Sequence, residues 1–236
     1  MKTTSAASIA LTLAFGMLGG GVATAVADPA PMPSPTASTT EVSPRIPADA
    51  VPDDQITQRG VTIRSYIHAP KRAFGVVFQG LRSTDEVKVM WTTIRNPQGE
   101  MATNIYHGTD PTKGYGEWYS GHQVGWVYAT GVVIRDGQVI AQYTFANKNA
   151  VKVKAVPSKN SFNVTMSNVM PTDRMLIKWT FADGSVNSVN APAGNFSSGK
   201  QKGWKNATIT VYEGNSIAAL LANPVTITPP VSLDTP

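Results

Sequence analysis

A chain of 236 residues, 42% hydrophobic and 15% charged, holds enough apolar material for one large or two small folded domains. It has no cysteine, which excludes disulfide frameworks, thiolate nucleophiles, thiolate zinc sites and lipidated-cysteine anchors. The 20 Lys and Arg exceed the 15 acids by five. That excess is unevenly placed, because residues 28–54 hold Asp28, Glu41, Asp49, Asp53 and Asp54 against Arg45 alone.

The first 27 residues read as a signal peptide. Lys2 is followed by an apolar run over residues 6–18, and Ala25-Val26-Ala27 is a small-x-small exit before Asp28-Pro29. The alternative is an uncleaved membrane helix over residues 6–27, a length just sufficient to span. Gly16, Gly19, Gly20 and Gly21 weigh against it. No later stretch has the length and apolarity of a membrane helix, so the chain is expected to be secreted, extracellular or envelope-associated. Residues 28–57 form a Pro/Ser/Thr-rich stretch containing Pro29, Pro31, Pro33, Pro35, Pro44, Pro47 and Pro52. It buries too little apolar surface to offset its conformational entropy and is expected to be a disordered linker. At about 3.1 Å per residue the part over residues 28–54 would reach roughly 80 Å, as a tether or as an inert or processed spacer.

The rest of the chain repeats itself. FGVVFQGLRSTDEVKVMWT, starting at Phe74, matches FNVTMSNVMPTDRMLIKWT, starting at Phe162, without a gap at an offset of 88. SGHQVGW from Ser120 then matches SGKQKGW from Ser198 at an offset of 78. The first copy therefore carries about ten extra residues between its blocks. The division is residues 58–146 and 147–228, with a tail over 229–236.

Each copy reads as all-β. Phe74, Val76 and Phe78 alternate with Gly75, Val77 and Gln79, and Val87, Val89 and Trp91 alternate with Lys88, Met90 and Thr92, the period of a half-buried strand. Phe162, Val164 and Met166, then Met175, Ile177 and Trp179, repeat the pattern. Two further strands flank the Asp136-Gly137 turn. Residues 216–221 carry the one hint of a helix. The fold class is two tandem β-sandwiches. Trp91 and Trp179 fall on the inward parity and are assigned to the core. Trp204 lies off the inward parity of Ala207, Ile209 and Val211, so it either precedes a bulge or caps the sandwich end.

The run from Gly125 to Phe145, G-W-x-x-A-x-x-x-V-x-x-D-G-x-x-I-A-x-x-x-F, resembles the last hairpin of bacterial immunoglobulin-like or fibronectin-like domains of exported proteins. The second copy departs from it, with Glu213-Gly214-Asn215 in place of Asp-Gly and Ala222-Asn223-Pro224 interrupting the final strand. The resemblance implies an immunoglobulin-like scaffold of the kind used in adhesion, polymer binding, spacing and inhibition.

Residues outside the repeat are the candidates for function. The unmatched stretch over 104–119, NIYHGTDPTKGYGEWY, brings Tyr106, Tyr115, Trp118 and Tyr119 together with His107, Asp110 and Glu117. Aromatic faces beside acceptor side chains suit sugar rings or a protein interface. A self-packed loop covering the sheet edge is the competing reading. Residues 147–227 hold nine cations against three acids, whereas 71–146 hold seven against six. Lys200, Lys202 and Lys205 around Trp204, with Lys148, Lys152, Lys154 and Lys159, are candidates for an anionic polymer, unless they form only a solvated face.

Catalytic patterns are sparse. The histidines are His68, His107 and His122, and no H-E-x-x-H, G-x-S-x-G or P-loop occurs. Asp110 with Glu117, or a His107/Asp110/Glu117/His122 metal set, has no diagnostic spacing. The sequence therefore predicts a non-catalytic binding or adhesion module without cofactor or metal. Its expected partner is an anionic envelope polysaccharide or a surface protein, with nucleic acid disfavoured. A secreted glycosidase-like hydrolase using the carboxylates and histidines of residues 104–122, and a protease inhibitor presenting that loop, are the alternatives.

Overall fold

The computed structural model describes residues 45–103 and 114–231. Two tandem immunoglobulin-like β-sandwiches make up this part of the chain. The first contains β1 (Val51–Gln58), β2 (Val61–His68), β3 (Ala73–Gln79), β4 (Glu86–Thr93), β5 (Glu100–Thr103), β6 (Tyr115–Tyr119), β7 (Trp126–Arg135) and β8 (Gln138–Ala146). These strands form two antiparallel sheets, in the orders β1-β2-β3-β6 and β5-β4-β7-β8. The second sandwich contains β9 (Lys152–Ser158), β10 (Ser161–Ser167), β11 (Asp173–Phe181), β12 (Val186–Pro192), β13 (Phe196–Ser197), β14 (Trp204–Glu213) and β15 (Val225–Ile227). Its sheets run β13-β10-β9 and β12-β11-β14-β15. The two plans are the same apart from β1, an extra strand on the outer edge of β2.

The duplicated residues occupy matching places. Phe74, Val76 and Val89 are buried as completely as Phe162, Val164 and Ile177, and Trp91 and Trp179 are 8% and 7% exposed. The Phe74 ring meets Trp91 edge-on at 6.2 Å and Trp126 at 4.7 Å. Phe162 meets Trp179 edge-on at 5.8 Å and Trp204 at 5.1 Å. Such edge and tilted contacts suit aromatic quadrupoles. The parity of Trp204 is resolved by a bulge: the β11/β14 register shifts between Thr180 and Phe181, and β4/β7 shifts at the matched place between Thr92 and Thr93. The extra residue turns both tryptophans back into the core.

Two expectations are corrected. Residues 51–57, assigned above to the linker, belong to β1, paired antiparallel with β2. Pro52 is tolerated because β1 is an edge strand, and Ile56 packs against the core cluster. Residues 216–221 form no helix. The Ala219 amide donates to Ser216 O at 2.8 Å, closing a turn, and Leu220 makes an isolated bridge to Tyr212. The interrupted final strand is, as its sequence suggests, a three-residue edge, β15.

Candidate binding surfaces

The second repeated block turns out to be a structural clamp. In both copies the serine hydroxyl accepts a hydrogen bond from the first core phenylalanine: Phe74 N to Ser120 Oγ is 3.0 Å and Phe162 N to Ser198 Oγ is 2.9 Å. The glutamine amide three residues later donates to the serine carbonyl, at 3.0 Å for Gln123 and 2.7 Å for Gln201. The clamp fastens the loop before β7 or β14 to the opposite sheet. The tryptophan that ends the block then enters the core from a fixed position.

The candidates on the inserted stretch divide into described and undescribed residues. Tyr106, His107 and Asp110 lie outside the described residues. Tyr115, Glu117, Trp118 and Tyr119 belong to β6, which pairs with β3. Trp118 is half-buried, 5.5 Å from Phe74 and 5.1 Å from Trp91. The offset of 78 makes it the counterpart of Phe196, which packs on Phe162 and Trp179. Its ring is a lid on the core, the covering role of the two weighed above, because alternation along β6 turns 118 inward and 115, 117 and 119 outward.

Those three outward side chains are held by the segment preceding β1. Glu117 Oε1 accepts from Ile46 N at 3.1 Å, and its other oxygen accepts from the Tyr115 hydroxyl. Burial and then the Glu117 bond push the Tyr115 phenol well above its ordinary range. Tyr119 shares a hydrogen bond with His68 Nδ1 at 2.8 Å, and His68 Nε2 meets Asp49 Oδ2 at 3.1 Å. His68 itself is 4% exposed. Ile46 also fills the space over Gly75, where an added Cβ would come within 2.6 Å of its side chain. These are contacts of a segment strapped over a sheet. Among the described residues, no three His, Asp or Glu side chains are placed to hold a metal ion.

The junction between the sandwiches holds a cluster that the sequence did not reveal. Arg72, in the loop between β2 and β3, donates to Asp173 Oδ2 at 2.5 Å and to Glu213 Oε1 at 2.8 Å. His122 meets the other Glu213 oxygen at 2.7 Å and Lys71 O at 2.9 Å. The Arg72 side chain is 9% exposed and that of Asp173 fully buried. The one signal for this arrangement is a charge swap within the repeat: β7 ends in Arg135, and β14 ends at the matched place in Glu213. A cavity of about 240 Å³ lies beside the cluster, walled by Ile67, Pro70, Trp126, Val151, Met170 and Leu221. Two amides at its rim are committed, Asn147 to Trp126 O and Asn168 to Ala150 O.

The opposite end of the second sandwich is open and basic. Gln201 N donates to Asn160 O at 2.6 Å, and Trp204 Nε1 to Ser158 O at 3.3 Å. These bonds bring the β9/β10 turn, with Lys159, against the loop carrying Lys200 and Lys202, and Lys205 follows at the start of β14. All four lysines are exposed. Lys202 and Gly203 line a shallow depression with Asp183, Ser185 and Asn187. The Ser185 hydroxyl and amide both donate to Asp183 and hold its carboxyl below the usual range.

No family model and no curated protein matches this chain. Among solved structures, similarity is found to the FN1–FN3 domains of chicken CNTN1, at 11% identity over 67% of this chain with a TM-score of 0.26. The chain spans 60% of that structure's length. A two-domain fibronectin type III segment of chicken tenascin is similar at 8% identity over 75% of this chain and 97% of the other, with a TM-score of 0.27. A cytokine receptor complex matches at 7% identity over 67% of this chain and 93% of that one, with a TM-score of 0.27.

Proposed function

We propose that this chain is an exported, non-catalytic binding module whose second sandwich docks on an anionic envelope polysaccharide through its free end. The reading is carried by one observation: Lys159, Lys200, Lys202 and Lys205 lie exposed on one tip, four cations against the nearby Asp183 carboxylate, which its bonds from Ser185 keep ionised. By contrast, the described candidates for acid-base work, Glu117, His68 and His122, are spent on Ile46 N, on Tyr119 and Asp49, and on Glu213. A cluster of like charges on one end raises the local concentration of a polyanion and speeds its encounter.

Retention of the full chain on isolated cell envelope and on a polyuronate resin tests this. Binding should weaken as NaCl rises through about 0.15 M, where the screening length falls to roughly 8 Å. Lys200→Glu, Lys202→Glu and Lys205→Glu together should abolish retention and leave thermal unfolding unchanged. Retention indifferent to salt and to these substitutions overturns the proposal.

A further inference from the structure

The duplication supplies an internal control for the outward faces of the matched four-stranded sheets β5-β4-β7-β8 and β12-β11-β14-β15. In the first sandwich, Met90 on β4 stands opposite Met101 on β5, and Thr92 stands opposite Tyr128 on β7. Met90, Met101 and Tyr128 are 37%, 56% and 52% exposed. Val139, also 52% exposed, extends the strip from its place opposite Ile134. The positions matched to Met90, Met101 and Tyr128 in the second sandwich are polar, whereas Val139 has an apolar counterpart in Leu220, which stands opposite Tyr212 as Val139 stands opposite Ile134. Lys178 takes the place of Met90, Ser188 lies opposite it as Met101 lies opposite Met90, and Asn206 is opposite Thr180 as Tyr128 is opposite Thr92. The same scaffold thus folds with Lys, Ser and Asn there, and the apolar set answers a need other than folding.

We infer that this face of the first sandwich, built on Met90, Met101 and Tyr128, is a self-association surface that packs against the same face of a second copy. Charge favours a copy of the chain as the occupant. The outward charges on this face, Glu86 and Lys88, pair with each other at 3.0 Å, so two neutral faces meet without repulsion although the chain carries +5. The corresponding face of the second sandwich presents Arg174 and Lys178 without an acid and would repel its own image.

Size sets the strength to expect. Four strands about 4.8 Å apart, with β7 ten residues long at about 3.3 Å each, present a face of roughly 20 by 30 Å. That is at most about 600 Å², less where β5 is only four residues long, below the roughly 800 Å² per partner of a standard interface and in the range of a weak, concentration-dependent dimer. A two-fold axis lying in the interface along β4 sets Met90 beside its own image. It also brings Met101 of each copy over β7 of the other, beside Tyr128, an adaptable thioether meeting an aromatic ring.

The test is sedimentation equilibrium of the full chain over a wide concentration range, comparing wild type with Met90→Lys, Met101→Ser and Tyr128→Asn, singly and combined. Each replacement is the residue the second sandwich carries at the matched place, so folding is preserved, and a thermal melt of each variant verifies it. The wild type should dimerise. The combined variant should raise the dimer dissociation constant about tenfold or more, the change expected when anchors of an interface centre are lost, with its melting temperature unmoved. A wild type that stays monomeric, or variants that dimerise as well as wild type, overturns the inference. So does a monomeric wild type that uses these residues to hold a different protein.

Discussion

Asp85 and Asp173 are the same residue of a repeated turn, and the two sandwiches neutralise it from different places. Asp85 accepts from Arg82 N at 2.9 Å and from two nitrogens of Arg135 at 2.7 Å, all within its own sandwich. Asp173 accepts from Met170 N at 2.7 Å, but its own strand end offers Glu213, and its cation arrives from the other sandwich as Arg72. A single change of charge at the end of one strand turns an internal ion pair into a joint between domains. The second sandwich is thereby incomplete alone: without Arg72 it holds a fully buried carboxylate beside a second one.

The largest test of that contrast is Arg72→Ala, which strands Asp173. Losing one partner of a buried pair costs about 3–5 kcal/mol. Chemical denaturation should show the loss in the unfolding of the second sandwich, whereas Arg135→Ala should weaken the first and leave the joint intact. If Arg72→Ala costs less than about 1 kcal/mol, the joint does not depend on this pair.

Next in size are the matched lids. Trp118→Ala and Phe196→Ala should each destabilise their own sandwich by about 2–3 kcal/mol, somewhat under the cost of emptying a fully buried aromatic site. A Trp118 variant of unchanged melting temperature would return that ring to the role of ligand anchor. Gly125 and Gly203 sharpen the comparison further. Both have positive φ, but a Cβ on Gly125 would come within 2.3 Å of Leu220 O across the junction, and one on Gly203 meets nothing within 4 Å. Gly203→Ala should cost about 1–2 kcal/mol of backbone strain. Gly125→Ala should cost more and also alter the angle between the domains, readable by small-angle scattering.

The smallest effect is confined to acid. Burial alone would raise the Asp85 pKa, but its bonds to Arg135 and Arg82 N outweigh it and hold the carboxyl below the ordinary value. A group depressed in the folded state stabilises above its unfolded pKa of about 3.9, and that stabilisation is lost as pH falls through the lower folded value. Urea unfolding should show this loss below about pH 4, and Asp85→Asn should flatten it.

The core was legible because its determinants are local: alternation places Phe74 and Trp91 inward, and an ungapped match repeats them as Phe162 and Trp179. What escaped was set by distant or disguised partners. Arg72 and Asp173 lie 101 residues apart, and the matched residue, Asn160, bears no charge. Trp118 looked unmatched because about ten extra residues precede it, which hid its equivalence to Phe196. The strand β1 was concealed by Pro52 and two aspartates, a composition that suits an edge as well as a tether. Of the proposed ligand residues, the sequence singled out Tyr115 and Glu117 but gave no sign that Ile46 N would engage the carboxylate.

β1 also governs how the molecule bears a pull. Val51 pairs with Ile67, so the chain enters the first sandwich at the end from which Ala146 leaves it, and Asp53 meets Lys148 there at 2.6 Å. A load between the segment before Val51 and the second sandwich therefore crosses the base of the first instead of running through its sheets. The first sandwich hangs beside the line of force. Under tension the strap contacts of Ile46 and Asp49, nearer the pulled end, yield first, the Asp53–Lys148 contact follows, and β1 then unzips from Val51 one pair at a time. About 26 Å of chain is released, at roughly 3.3 Å for each of its eight residues, before β3, β4 and β7 carry any strain.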